Sequence, residues 1–318
     1  MGRTDSGARP VREKLPTIDD LRDPRADSRK LRVKITTNPG RCLRVRDPSR
    51  VQRSIESHHG DVRELRVDQI AVESALELRV WHAALGTRPL TLSTTMRTPG
   101  HDQDLALGFL YAEGVIDTAV RVRSMRICEG PVDALRIELE GPAPALRALQ
   151  RRGTLTSACG ACGANPQALR ADAVNAQAGG TGRVSATTLR ALPARLRAAQ
   201  TSFAATGGMH AAALFDLAGD LLALREDVGR HNALDKLVGH ALRQSALPWT
   251  DRLLLLSGRA SFELLQKAAC AGASIVAAVG APSSLAMELA QRAGIALIGF
   301  LSERGFNVYT GAARIDHR

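Results

Sequence analysis

"RLLLLSGRASFELLQKAACAGASIVAAVGAPSSLAMELAQRAGIALIGFL", residues 252–301, decides the fold. Three short apolar runs, "RLLLLS", "SIVAAVG" and "IALIGFL", have no polar alternation. Between them, "SFELLQKAACAG" and "SSLAMELAQRAG" carry apolar residues at helical spacing. A strand that is apolar at every position is covered on both faces, and strand–helix alternation is the pattern of a parallel sheet. Working outward, "MHAAALFD" and "DLLALRED" predict a hairpin turning at Gly219-Asp220. "RHNALDKLVGHALRQ" predicts a helix whose start Asp227 would cap, and "FNVYT" a closing strand.

The earlier half is less regular. "QIAVESALELRV" and "PLTLSTTM" predict two strands joined by a turn around Gly86. "HDQDLALGFLYAEG" predicts a helix with Asp102 as N-cap and Gly114 as its stop. "VRVRSMRI" and "ALRIELEG" predict further strands, and "ATTLRALPARLRAAQ" a helix kinked at its proline. The predicted organisation is a basic, disordered extension over 1–60, an α+β segment over 61–205 and an α/β domain over 206–318.

Of 318 residues, 44% are hydrophobic, enough for a real core. No apolar run approaches the ~20 residues that span a bilayer. The N-terminus, "MGRTDSGARPVREKLPTIDDLRDPR", lacks the apolar segment of a secretory signal, so a cytoplasmic location is expected. The net charge of +11 invites nucleic acid as a partner. However, residues 1–60 carry 15 Lys and Arg against 8 Asp and Glu, so most of the excess sits in the extension. Aromatics make up only 3%, leaving few stacking platforms for single strands. No nucleic-acid partner is expected.

Five cysteines form an odd, sparse set, which is not a disulfide framework. Two stand close together in "TLTSACGACG", as Cys159 and Cys162. A structural zinc site commonly uses two such pairs, and there is no second one. The zinc deaminase pattern is absent too, because Ala158 precedes Cys159 and "HAAA" and "HNAL" lack the glutamate. A thioredoxin-type motif should follow a strand and open a helix with an aromatic or proline nearby, and this segment has neither. What remains is a nucleophile: a thiolate in a glycine-bordered loop that attacks a group and carries it.

Ligands of such a sheet bind beyond the carboxyl ends of the strands. Ser257, Gly258 and Arg259 follow the first strand of the opening stretch. Gly280 to Ser284 follow the second, with Ser283 or Ser284 able to cap the next helix. Phe300, Leu301, Ser302, Glu303, Arg304 and Gly305 follow the third. Helix N-termini with Arg259 and Arg304 suit phosphate, and hence a nucleotide-like ligand. Ordinary capped turns explain each segment equally well on its own. In "REDVGRHNALDK", His231 and Asp235 share one helix face and Asn232 and Lys236 another, as a structural network or a ligand cluster. His210, alone among small residues, is expected to be structural.

"SACGACG", "TGGMHAAALF", "EDVGRHNALDKLVG", "LLLLSGRASFELLQKAACAGA", "APSSLAMELA" and "GIALIGFLSERGFNVYTG" together resemble the FdhD/NarQ family of formate dehydrogenase accessory sulfurtransferases. "RTPGHDQDLALGFLYAEG" fits its earlier segment, so the resemblance runs from about Arg66 to Gly311. It implies a cytidine-deaminase-like layered α/β domain with a parallel-rich mixed sheet, a smaller N-terminal α+β subdomain, no catalytic zinc, and a homodimer. It also implies a sulfur relay. A cysteine desulfurase loads Cys159 as a persulfide, with Cys162 secondary. The sulfur passes to the bis(molybdopterin guanine dinucleotide) molybdenum cofactor, which then enters formate dehydrogenase. The resemblance places the cofactor's guanine nucleotide ends on Phe300 to Gly305. A chaperone that holds the cofactor without covalent chemistry is the alternative.

Overall fold

The computed structural model describes residues 47–117, 120–128, 130–142 and 180–317. Along the chain come β1 (Arg50–His59), β2 (Val62–Ala71), β3 (Ser74–Trp81), β4 (Leu90–Arg97), α1 (Asp102–Ala112), β5 (Arg121–Cys128) and β6 (Asp133–Glu140). Next are β7 (Val184–Ser185), α2 (Ala186–Ala199), α3 (Thr201–Thr206), β8 (His210–Phe215), β9 (Leu221–Asp227) and α4 (Arg230–Arg243). The chain finishes through β10 (Leu253–Leu256), α5 (Phe262–Cys270), β11 (Ile275–Ala278), α6 (Ser284–Ala293), β12 (Ala296–Ser302), β13 (Gly305–Thr310) and β14 (Ile315–Asp316).

The opening stretch folds as its pattern predicts, with β10, β11 and β12 side by side and parallel. The six-stranded sheet has the order β13-β12-β11-β10-β8-β9. Its flanks are antiparallel, because β8–β9 and β12–β13 are hairpins with short turns and β8 runs against β10. The sheet is therefore mixed, as expected, but not parallel-rich: its centre is parallel, and three of its five strand pairings are antiparallel. A second sheet has the order β4-β3-β6-β5.

Alternate residues of the central strands feed two cores. Leu253, Leu255, Ile275, Ala277, Ala296 and Ile298 pack with Leu189, Leu192 and Leu196 of α2. Leu254, Leu256, Val276, Ala278 and Leu297 enter the larger core, which continues through α4 and α1 to Leu76, Leu78, Leu135 and Ile137 of the four-stranded sheet. Burial on both faces is why "LLLL" and "IVAA" contain no polar residue. Helix α1 crosses α4 at two glycines. A Cβ on Gly108 would stand 2.6 Å from the Asp235 carbonyl carbon, and one on Gly239 2.6 Å from that of Asp104.

Four details differ from the sequence expectations. Residues 50–59, placed in the disordered extension, form β1 and pair with β2. The run "QIAVESALELRV" is not one strand but the end of β2 and most of β3. Asp102 does not cap α1, because its carboxylate takes both Nε and Nη2 of Arg97 at 2.9 Å, and His101 precedes the helix in a left-handed conformation. Asp227 does not cap α4, whose N-cap is Gly229. Its Oδ1 accepts from the Gly229 amide itself at 2.9 Å.

Candidate functional site at the carboxyl edge

The carboxyl ends of β10, β11 and β12 share one edge, and antiparallel pairing brings the start of β8 and the end of β9 to it. Backbone bonds continue past the strands and hold the edge together. Gly280 N–H donates to Gly258 O at 3.0 Å, Ala260 N–H to Ala281 O at 3.1 Å, and Phe300 N–H to Gly280 O at 3.1 Å. Ser257 to Arg259, Gly280 to Ser283, and Phe300 therefore come together as the sequence predicts.

Their side chains divide. The Ser257 hydroxyl accepts the Ala211 amide at 2.8 Å and stands 3.4 Å from His210 Nδ1. Ser283 caps α6, accepting from the Ala286 amide at 3.2 Å. Leu301 is buried in the smaller core, so only its backbone faces the edge region. Ser302 closes the β12–β13 turn through its hydroxyl, donating to Gly305 O at 3.0 Å, and leaves Glu303 and Arg304 exposed at the tip. Phe300 is 52% exposed and holds φ at +51°, a left-handed conformation that is uncommon for an aromatic residue. Strained backbone under an exposed aromatic is typical of ligand sites.

Three residues outside the predicted set join the edge. His210 opens β8 beside Ser257, Arg230 opens α4, and Arg197 lies 4.2 Å over the Phe203 ring. A Cβ on Gly258 would lie 3.3 Å from His210 Cε1 and 3.9 Å from Arg230 Cδ, so both side chains flank that glycine. A cleft of about 360 Å³ opens here, lined by Arg197, Phe203, Gly208, His210, Val228 and Ser257 among others. Burial, then the nearby Arg230 cation, pushes the His210 imidazole below the usual histidine range, so it is neutral near pH 7. Arg197, Arg230, Arg259 and Arg304 have no carboxylate partner among the described residues. Nothing in the sequence shows that β8 pairs with β10, which is the fact that brings His210 to Ser257.

A larger hollow, about 450 Å³, lies at the amino edge beside Leu222, Leu237 and Trp249. It is remote from these arginines and from the strand ends where ligands of such sheets bind.

Apart from Arg230, the charged groups of the "REDVGRHNALDK" cluster are paired, partly with one another and partly with neighbouring elements. Asp227 accepts from Lys236 Nζ at 2.7 Å, the Thr98 amide at 3.1 Å and Asn232 Nδ2 at 3.1 Å. His231 meets Glu263 at 3.1 Å, and Asp235 takes Lys267 at 2.6 Å. Burial pushes the Asp235 carboxyl up, opposed by the Lys267 cation. These groups bind β4 and α5 to α4, and they set where Arg230 starts. Cys159 and Cys162 lie outside the described residues. Among the described residues no three His, Cys, Asp or Glu side chains gather as a metal site, and no helix is long and apolar enough to cross a membrane.

Residues 81–316 match the model of the FdhD/NarQ family. A sulfur carrier protein FdhD of Mycolicibacterium paratuberculosis is 46% identical over 260 residues, 79% of this chain and 93% of that protein. The protein of the same name from Sulfurisphaera tokodaii is 40% identical over 249 residues, 78% of this chain and 92% of its own length. Among solved structures, a protein from Desulfotalea psychrophila, assigned as a formate dehydrogenase accessory protein, superposes with a TM-score of 0.63 at 19% identity. That match covers 85% of this chain and all of the other, and it shows the fold. The shared family model, and relatives matched over nearly their whole length, establish that this chain belongs to the FdhD/NarQ family.

Proposed function

We propose that this protein is a sulfur carrier acting in the maturation of formate dehydrogenase. A cysteine desulfurase is the donor, and the acceptor is the bis(molybdopterin guanine dinucleotide) molybdenum cofactor, handled as cargo before it enters formate dehydrogenase. The observation that carries this is membership of a family whose curated relatives are named sulfur carrier proteins. In the loading step, the Cys159 thiolate attacks the outer sulfur of the donor's persulfide. The donor's S–S bond breaks, its thiolate departs, and Cys159 holds the sulfur as a persulfide. Cys162 is secondary. The loaded sulfur is a good nucleophile near neutral pH, and the glycines around it let it travel.

The carboxyl edge supplies what the cargo's nucleotide ends need. It offers Arg259 and Arg304, backbone N–H groups, an exposed Phe300, and an Arg230 with no ion-pair partner among the described residues. The working form is a cytoplasmic homodimer, with the α/β portion layered as in cytidine deaminases.

Intact-protein mass spectrometry after incubation with a cysteine desulfurase and cysteine tests the relay. The wild type gains about 32 Da, one sulfur, and Cys159→Ala does not. If Cys159→Ala still restores formate dehydrogenase activity in a deletion strain, the protein is a cofactor chaperone without a covalent sulfur step.

A further inference from the structure

We infer that β2 is a self-pairing edge: two copies of this chain join β2 to β2 antiparallel about Leu65, so that two hairpins make one four-stranded sheet. This rests on the proposed homodimer and names the surface that forms it.

The β1–β2 hairpin is incomplete by itself. Each strand has 10 residues, and the two form a sheet with no third strand among the described residues. A lone two-stranded ribbon is marginally stable in water, and independent stability takes three or more strands with an apolar face. Every residue from Val62 to Val67 is exposed, with Leu65 at 82%, Val67 at 65% and Val62 at 63%. A long edge that carries exposed apolar side chains is a template for another strand.

The ladder decides which backbone groups face outward. Val72 N–H donates to Ser49 O at 2.8 Å, and the same register sets Ile70 opposite Val51 and Arg66 opposite Ile55. Bonded and non-bonded pairs alternate in an antiparallel ladder. Val62, Glu64, Arg66 and Asp68 therefore bond to β1, and the N–H and C=O groups of Arg63, Leu65 and Val67 point away from it.

A second copy fits this edge in one register. Centred on Leu65, antiparallel pairing sets Leu65 opposite the partner's Leu65 and Arg63 opposite the partner's Val67, outward groups against outward groups. Leu65 and Val67 of both copies then share one face. On the other face Glu64 meets the partner's Arg66, twice by symmetry, and opposite charges facing each other across strands are favourable. A shift by one residue brings like charges together. Centring on Arg66 opposes it to itself and Glu64 to the partner's Asp68, and centring on Glu64 opposes that carboxylate to itself. Centring on Val67 would pair Arg66 with the partner's Asp68, but it draws in Ala71, at the half-buried base where α3 packs on β2. The outer edge of β1 has no equivalent register between full charges, because setting Arg50 opposite the partner's Glu56 also opposes Arg53 to itself. A strand of unrelated sequence would leave Glu64 and Arg66 unmatched, which is why the occupant is a second copy of this chain.

The test is sedimentation velocity of the full chain over a dilution series. The wild type should dimerise. Glu64→Arg and Arg66→Glu, both at exposed positions, should each weaken the dimer by roughly tenfold or more, because each puts like charges together at two symmetric places. An equimolar mixture of the two variants should regain wild-type dimerisation, since both places then join opposite charges. That recovery also shows that both variants are folded. Wild-type affinity in each variant alone overturns this seam and leaves the homodimer standing. Weakened variants that fail to recombine on mixing overturn the Glu64–Arg66 register. A wild type that stays monomeric overturns both the seam and the homodimer.

Discussion

Asp227→Ala should be among the most destabilising single changes in this protein. Its carboxylate is fully buried, at 0% exposure. Oδ2 accepts from Lys236 Nζ at 2.7 Å and the Thr98 amide at 3.1 Å, and Oδ1 from the Gly229 amide at 2.9 Å and Asn232 Nδ2 at 3.1 Å. Alanine removes all four acceptor contacts. It also strands Lys236, 1% exposed, with Thr98 O at 2.8 Å as its remaining acceptor among the described residues. Removing one partner of a buried ion pair costs about 3–5 kcal/mol. Domains are stable by about 5–15 kcal/mol in total, so the variant should sit near the edge of folding. Urea denaturation should show a lower midpoint with an unchanged slope, and the melting temperature should fall by about 6–20 °C. Lys236→Met alone should be milder, because Asp227 keeps three N–H donors. The double variant Asp227→Ala/Lys236→Met should recover much of the loss. If the double variant is as unstable as the two single losses summed, stranded charge is not the cause and the reasoning fails.

Gly239→Ala should lower stability by about 1–3 kcal/mol or more, because the methyl would press on the Asp104 backbone and force α1 from α4. A melting temperature equal to the wild type would show that the helices can part without cost. Burial holds the imidazoles of His101, His210 and His240 below the usual range, aided by Arg225 at the first and third and by Arg230 at the second. The unfolded chain then binds more protons below about pH 6.5, so stability should decline as pH falls from neutrality through that value. A chemical-denaturation series that is flat from pH 7.5 to 5.5 would contradict this. Phe300→Gly should leave stability unchanged or raise it by up to about 1–2 kcal/mol, since φ of +51° suits glycine. The same change should weaken GDP binding by roughly 1–3 kcal/mol if the exposed ring stacks a base.

The centre of the fold was legible because it is buried on both sides. Leu253–Leu256 and Ile275–Ala278 must be apolar at every position, and the intervening helices leave a parallel arrangement as the economical solution. The order of the flanking strands was not legible. Residues 210–215 are short, apolar and buried, and they would fit against β10 or β12 equally well by pattern. The helix starts misled for a related reason. An aspartate before an apolar periodic run looks like a cap, but Asp102 is taken by Arg97, and Asp227 at the end of β9 is taken by Lys236 inside α4. Ionic partners five and nine residues away take these carboxylates instead of the helix N–H groups, and the helical repeat does not reveal such pairs. Leu301 is a similar case. Its place in a run of candidate ligand residues hid the strand alternation that sends its side chain inward.

Charge pairing separates scaffold from site more sharply than residue type does. Asp104 holds Arg225 at 3.1 Å and Arg243 at 2.9 Å, and Arg97 is shared between Asp102 and Asp133 at 2.9 Å each. The Asp104 pairs tie α1 to β9 and α4, and the Arg97 pairs hold β4 to α1 and β6, so these charges serve the scaffold. At the carboxyl edge Arg197, Arg230, Arg259 and Arg304 have no ion-pair partner among the described residues, whereas Arg136 of the four-stranded sheet, which like Arg230 has a buried Nε without an acceptor, still meets Glu138. A fold that needed Arg230 only for stability would have supplied a carboxylate, as it did at Arg97. Leaving cations unpaired at a strand edge carries a cost in the free protein that an anionic ligand removes on binding. It follows that anions should stabilise this protein more than their ionic strength explains. Melting in pyrophosphate against chloride at matched ionic strength should show a specific rise that Arg230→Gln abolishes. Equal melting temperatures in the two salts would mean that these arginines are simply solvated.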